Sequence, residues 1–332
     1  MREEIKSIDI AKLLASIMVI ALHTSPLSSI SVIGDKAMIG ICRIAVPLFF
    51  AMSGYLFFMN RDKDYVANLK KYCLRLLKYW IVYSILGIVV LKPPVGLNII
   101  RTILLDGFGV TWFFHGLIVA MGLVVLLLHL GGEGEPKWFV YAIPIVLYMC
   151  GTMMNTYFSL LGAGTQQLLE QVYYPFFVTA RNGFFSGTIY ILIGYCVARD
   201  DSSDIKRIVL LTVLSFVFFF SELILTWNVT EKIHGRELFF TMPFLIICVL
   251  KLILALNVKC KYTSKRFCLF CRKLSFAFFG WQLLFIVTIP GTINSMLRFL
   301  IITALCTITG ALLILLSRSK NNVARKVASL FI

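Results

Sequence analysis

Arg43 heads the stretch RIAVPLFFAMSGYLFF, residues 43 to 58, four residues before Pro47 and ten before Ser53-Gly54. A cation inside an apolar run is costly, and such groups face a cavity, a partner or the bundle interior. His23 closes a second run of this kind, IDIAKLLASIMVIALH. Counted back from His23 at helical spacings, Ser16, Lys12 and Asp9 fall on the same face. Histidine titrates near neutral pH and can take and return a proton. The planar fork of arginine grips carboxylates and oxyanions. His23 and Arg43 are therefore the candidate catalytic pair, with Lys12 and Ser53 beside them as candidate substrate ligands. The plain alternatives are a snorkelling interfacial pair for Asp9 and Lys12 and a hydrogen-bonded packing role for His23.

Further polar groups stand where apolar residues are expected. They are Trp112 and His115, then Arg181 and Asn182, then Glu222, then Arg236 and Glu237. Spread over several helices, Trp112, His115, Arg181 and Glu222 are expected to bind substrate in an outward-facing polar cavity. For Glu222 a structural ion pair with an arginine is the simpler alternative. KKYCLRLLKYW, residues 70 to 80, sets Lys71, Arg75 and Lys78 on one face. This face is either a cytoplasmic anchor with aromatic belt residues or a clamp for phosphates.

The elements that must hold these groups follow from composition. The chain has 332 residues, 59 % of them hydrophobic, with mean hydropathy +0.89. Soluble domains sit near 45–50 % apolar, so the reading is an all-α integral membrane protein with a single domain over residues 1–332. Ten spans can be drawn, at 8–28, 38–59, 76–91, 111–130, 138–154, 181–198, 205–226, 237–256, 273–289 and 293–317. An interfacial helix is expected at 97–107. The first span lacks a small-residue cleavage site and contains Asp9 and Lys12, so it is read as a retained helix. With the N-terminus in the cytoplasm, 22 of the 32 lysines and arginines fall in inner segments and six in outer ones. That asymmetry places both termini in the cytoplasm. The net charge of +16 is thus topological, and no nucleic-acid partner is expected. Cys268 and Cys271 form a CxxC with Cys260 upstream. No fourth ligand lies nearby, so no metal is expected. No internal repeat is evident, which gives no support to an inverted-repeat transporter.

Together these residues resemble the membrane-bound acyltransferase-3 family. The family's first helix carries an aspartate, a basic residue three on and a histidine eleven further, matched by Asp9, Lys12 and His23, with lysine where arginine is usual. The family's second helix resembles R-x-x-V-P-x-F-F-x-x-S-G, matched by Arg43, Val46, Pro47, Phe49, Phe50, Ser53 and Gly54. Arg75 to Trp80 match its basic third helix. Gln282 stands near a position where the family often has a late histidine. The WFF of 112–114 and the ARNGFFSG of 180–187 are similar to the membrane domain of vancomycin-resistance serine racemases. Those proteins add a soluble pyridoxal-phosphate domain, which is not expected in the fifteen residues after the last drawn span.

The resemblance implies an O-acyltransferase embedded in the lipid bilayer of the cell membrane. It would move an acyl group, acetyl above all, from cytoplasmic acyl-CoA to a hydroxyl on a cell-surface glycan or similar acceptor. Arg75 and Lys78 would hold the phosphates of acyl-CoA. The alternative is a membrane module of a serine racemase system that takes up L-serine, with a separate soluble racemase subunit as partner and Arg43 on the substrate carboxylate.

Overall fold

A computed structural model of the chain describes residues 5–60, 64–92, 111–132, 135–200, 204–230 and 233–331. The interfacial helix expected at 97–107 lies outside these residues. Among the described residues the regular structure is helical: α1 (Lys6–Thr24), α2 (Val32–Cys42), α3 (Ala45–Phe58), α4 (Tyr65–Leu91), α5 (Trp112–Gly131), α6 (Trp138–Asn155), α7 (Thr188–Val197), α8 (Ile205–Val229), α9 (Met242–Ala255), α10 (Lys265–Thr288), α11 (Ser295–Leu316) and the short α12 (Asn322–Ala328). Among the described residues eight stretches are long and apolar enough to cross a membrane, counting Val32–Phe58 as one, and two shorter apolar helices join them. The protein is a multi-pass membrane protein.

Local chemistry sets the helix ends. Ser31, Asp204, Ser264 and Asn294 each accept a backbone N–H from the first turn of the helix that follows, which satisfies donors the helix leaves open. Ser25 closes α1 in the left-handed region, φ 47°. The second drawn span is two helices. Pro47 has no N–H to offer the Arg43 carbonyl four residues back, and its ring crowds that carbonyl. The helix accordingly stops at Cys42, turns through Arg43 and Ile44, and resumes at Ala45. The third drawn span is longer than its apolar part: α4 starts at Tyr65, and its 27 residues reach about 40 Å. Lysine, arginine and leucine are all good helix formers, so the basic segment continues the apolar helix.

The chain divides into two compact units, residues 1–49, 85–92 and 253–332, and residues 50–84 and 93–252. In the first, α1 lies against α10 and α11. Ile20, Leu274, Phe278, Ile302, Cys306 and Ile314 form its core. Ala15 and Val19 pack against Ala45, with Val46 and Phe49 alongside. In the second, aromatic rings do much of the packing. Phe114 lies between Tyr79 and Tyr83, at centroid distances of 6.3 and 5.9 Å. The buried Tyr148 hydroxyl meets that of Tyr190 at 2.8 Å and donates to the Phe239 carbonyl at 2.8 Å.

Two glycine contacts bring backbones together in this second unit. A Cβ at Gly54 would stand 2.5 Å from the Ile191 carbonyl oxygen, and one at Gly194 would strike the backbone of Ala51 and Tyr55. Small residues permit this approach of helices within a bilayer. Backbone cannot swing aside as a side chain can, so Gly54→Ala is expected to destabilise the protein by about 1–3 kcal/mol. Thermal unfolding in detergent against the parent checks this, and an unchanged melting temperature would refute the contact. The second contact is Gly183 on Gly116, where a Cβ would enter the Gly116 backbone.

Candidate functional site

The break at Arg43 positions the first group of residues. The Arg43 N–H is shared between the carbonyls of Ile39, 3.1 Å, and Gly40, 3.3 Å, and its side chain is half-buried. Ala45, two residues on, packs against Ala15 and Val19. His23 lies one turn beyond Val19 and is exposed. Arg43 and His23 therefore lie within about one helical turn of each other in height along the hairpin.

The N-terminal end of the α1 stripe is occupied differently from the snorkelling pair considered above. Asp9 is buried and takes a two-pronged hydrogen bond from Arg272 of α10, Nε to Oδ1 at 2.8 Å and Nη2 to Oδ2 at 2.9 Å. Lys12 is within electrostatic reach of both. Ser16 continues the contact, its hydroxyl meeting that of Ser275 at 3.0 Å. The stripe from Asp9 to Ser16 thus faces α10. Gln282, further along α10, is buried; its amide N–H donates to the Phe279 carbonyl at 3.3 Å, and its Oε1 has no partner among the described residues.

The second unit brings Trp112, His115 and Arg181 together. Gly183 resting on Gly116 carries the preceding residues onto the start of α5. The Arg181 guanidinium lies over the Trp112 ring at 4.9 Å, a cation–π contact. Asn182 shapes the turn: its side chain caps the π-helical turn Gly183–Gly187 through the Phe185 N–H and donates to the Tyr173 hydroxyl at 3.0 Å. Burial pushes the Tyr173 hydroxyl up to about 12, so it stays protonated. His115, one turn along α5 from Trp112, stands edge-on to Trp80 of α4 at 6.3 Å.

Ser53 is half-buried on α3, one turn from Phe57, whose ring meets Tyr72 of α4 edge-on at 5.4 Å. Lys71, Arg75 and Lys78 are all exposed on α4, and the Lys78 ammonium sits 5.7 Å from the Tyr79 ring centre.

Among the described residues Glu222 is held without an arginine. Its Oε1 accepts from the Tyr157 hydroxyl at 2.6 Å and the Phe240 N–H at 2.7 Å. Oε2 accepts from the Thr241 N–H at 2.8 Å and the Thr241 hydroxyl at 2.5 Å. Burial and the bond to Glu222 both push the Tyr157 hydroxyl above its ordinary range, which keeps it a donor. All four acceptor directions are used inside the protein, just ahead of α9. A carboxylate suits the positive end of a helix. This explains why α9 begins at Met242, several residues after the start of the drawn span. Glu222→Gln would turn one acceptor oxygen into a donor facing other donors. A loss of about 2–4 kcal/mol is expected from two unmade buried bonds, read as a lowered melting temperature; a neutral effect would show the four bonds to be incidental.

Tyr157 and Arg272 escaped the sequence reading, and Trp80 entered it only as an aromatic at the end of the basic third helix. Arg272 carried a usable signal: Asp9 and Arg272 both stand at the same-side ends of their drawn spans. Among the described residues no cluster of three histidine, cysteine, aspartate or glutamate side chains could hold a metal ion.

No solved structure matches the chain. Curated relatives do. An amino-acid racemase of Enterococcus faecalis is 27 % identical over 66 % of this chain and 32 % of its own length. A serine/alanine racemase of Enterococcus gallinarum is 28 % identical over 64 % of this chain and 31 % of its own length. The matched stretch thus spans about a third of those relatives. The profile of the acyltransferase domain matches residues 5–318, nearly the whole sequence, and on that match the chain belongs to the acyltransferase-3 family.

Proposed function

We propose that this chain is a membrane O-acyltransferase that moves an acyl group, acetyl above all, from cytoplasmic acyl-CoA to a hydroxyl on a cell-surface glycan or other acceptor. The observation that carries the reading is the helix break at Arg43, which sets a guanidinium inside a span within about one turn of His23 in height. His23 takes the proton of the acceptor hydroxyl as its oxygen attacks the thioester carbonyl. Arg43 stabilises the resulting oxyanion with directed N–H donors. The carbon–sulfur bond breaks, and the proton held by His23 goes to the departing thiolate. The oxygen–carbon bond of the ester remains. The exposed cations Lys71, Arg75 and Lys78 fit the phosphates of such a donor, because a flat row of charges suits a flexible polyanion. Ser53, Trp112, His115 and Arg181 are assigned to the acceptor. Both termini are taken as cytoplasmic on the charge asymmetry.

A second reading is favoured by the racemase relatives: a membrane unit that admits L-serine for a racemase, the soluble enzyme being a separate partner. One experiment separates the two. Purified protein in proteoliposomes is given acyl-labelled acyl-CoA and a hydroxyl acceptor, or labelled L-serine alone. Donor-dependent covalent labelling is expected; serine accumulation without a donor, and no labelling, would overturn the transferase reading.

A further inference from the structure

We infer that the α4–α5 face of the second unit binds a carboxylate, so that the acceptor handled by this protein carries an acid group. The inference rests on the assignment of Trp112, His115 and Arg181 to the acceptor. Three polar groups on this face lack a partner among the described residues: the Trp80 indole N–H, the Ser84 hydroxyl and the Arg181 Nε–H. Each of these atoms is buried, and Ser84 is only 5 % exposed. Indole and guanidinium nitrogens donate and never accept, and a serine hydroxyl can donate. Buried donors left unmade are costly, and more so in a bilayer, where water cannot reach them.

The three groups are gathered by packing. Trp80 meets His115 edge-on, and Arg181 lies on Trp112. Trp112 and His115 share a face of α5, three residues apart, while Trp80 and Ser84 share a face of α4, four residues apart. The Phe114 ring held by Tyr79 and Tyr83 fixes α4 against α5 beside them. The patch is about two turns tall, offers three donors, and carries one fixed positive charge already backed by an aromatic ring. A neutral hydroxyl has too few lone pairs for this set. A carboxylate has two oxygens and about four acceptor directions, and its charge answers the guanidinium.

The test uses the full chain in detergent, with lactate as the carboxylate probe and lactamide, its neutral counterpart of similar shape, as control. Lactate is expected to raise the melting temperature in a saturable way, and lactamide to leave it unchanged. Ser84→Ala keeps the packing and Trp80→Phe keeps an aromatic ring while each removes one donor, and each is expected to weaken lactate about tenfold. Arg181→Gln is expected to abolish the response. Equal shifts with lactate and lactamide, or a lactate affinity untouched in Trp80→Phe and Ser84→Ala, would overturn the inference. A protein that transfers acyl groups but ignores lactate would refute the carboxylate site and leave the transferase reading intact. A lactate response without transfer would support the site and count against the transferase.

Discussion

Alanine at position 23 is expected to lower acyl transfer by about 10²- to 10⁴-fold, the usual worth of a positioned acid–base group. The protein itself should insert and fold as before, because the His23 side chain is exposed in the last turn of α1 and contributes little packing. Arg43→Lys is the sharper companion. The break at Arg43 and Ile44 is dictated by Pro47, which withholds an N–H from the carbonyl of residue 43 whatever its side chain. Lysine therefore keeps the break and the charge. It loses the planar fork, so donors aimed at a developing oxyanion become one mobile ammonium. A loss of about 10²- to 10³-fold in turnover is expected. The measurement is donor-dependent labelling in proteoliposomes beside a membrane-fraction and melting check on each variant. Full transfer by Arg43→Lys would show the arginine to be structural; loss of insertion in both variants would tie both residues to the fold.

What could be read from the sequence divides along physical lines. Spans are legible because hydropathy is local, but the helix break is not, because hydropathy runs unbroken through 38–59 and only the carbonyl that Pro47 orphans four residues back marks it. Helix ends defeated the reading where capping comes from afar. Glu222 meets Phe240 and Thr241 across 18 and 19 residues of chain and Tyr157 across 65, so an arginine was as reasonable a partner as a tyrosine. The start of α4 was missed for another reason: Lys70, Lys71 and Arg75 lower hydropathy while favouring helix. Within the site, residues of a single helix such as Lys12 and His23, or Trp112 and His115, could be grouped by periodicity. The cross-helix partner Trp80 could not, since packing alone decides which faces meet.

Arg272 supplies the largest expected effect on stability. The Asp9 side chain is 5 % exposed and that of Arg272 46 %, so the two halves of this pair are not equivalent. Arg272→Met strips the fork from a carboxylate that is almost wholly buried, and removing one partner of a buried pair costs about 3–5 kcal/mol. Lys12, close enough to feel Asp9, offsets part of that and puts the cost at the lower end. Asp9→Asn leaves a half-exposed guanidinium that can turn to solvent or headgroups, and the amide oxygen still accepts one of its bonds. About 1–2 kcal/mol is expected there. Made together, the two changes remove the stranded charge itself, so the double variant should be more stable than the sum of the singles implies, and more stable than Arg272→Met alone. Melting temperatures of the four proteins in one detergent read this directly. Equal costs for the two singles, or strict additivity, would show that Asp9 does not depend on Arg272 for its charge.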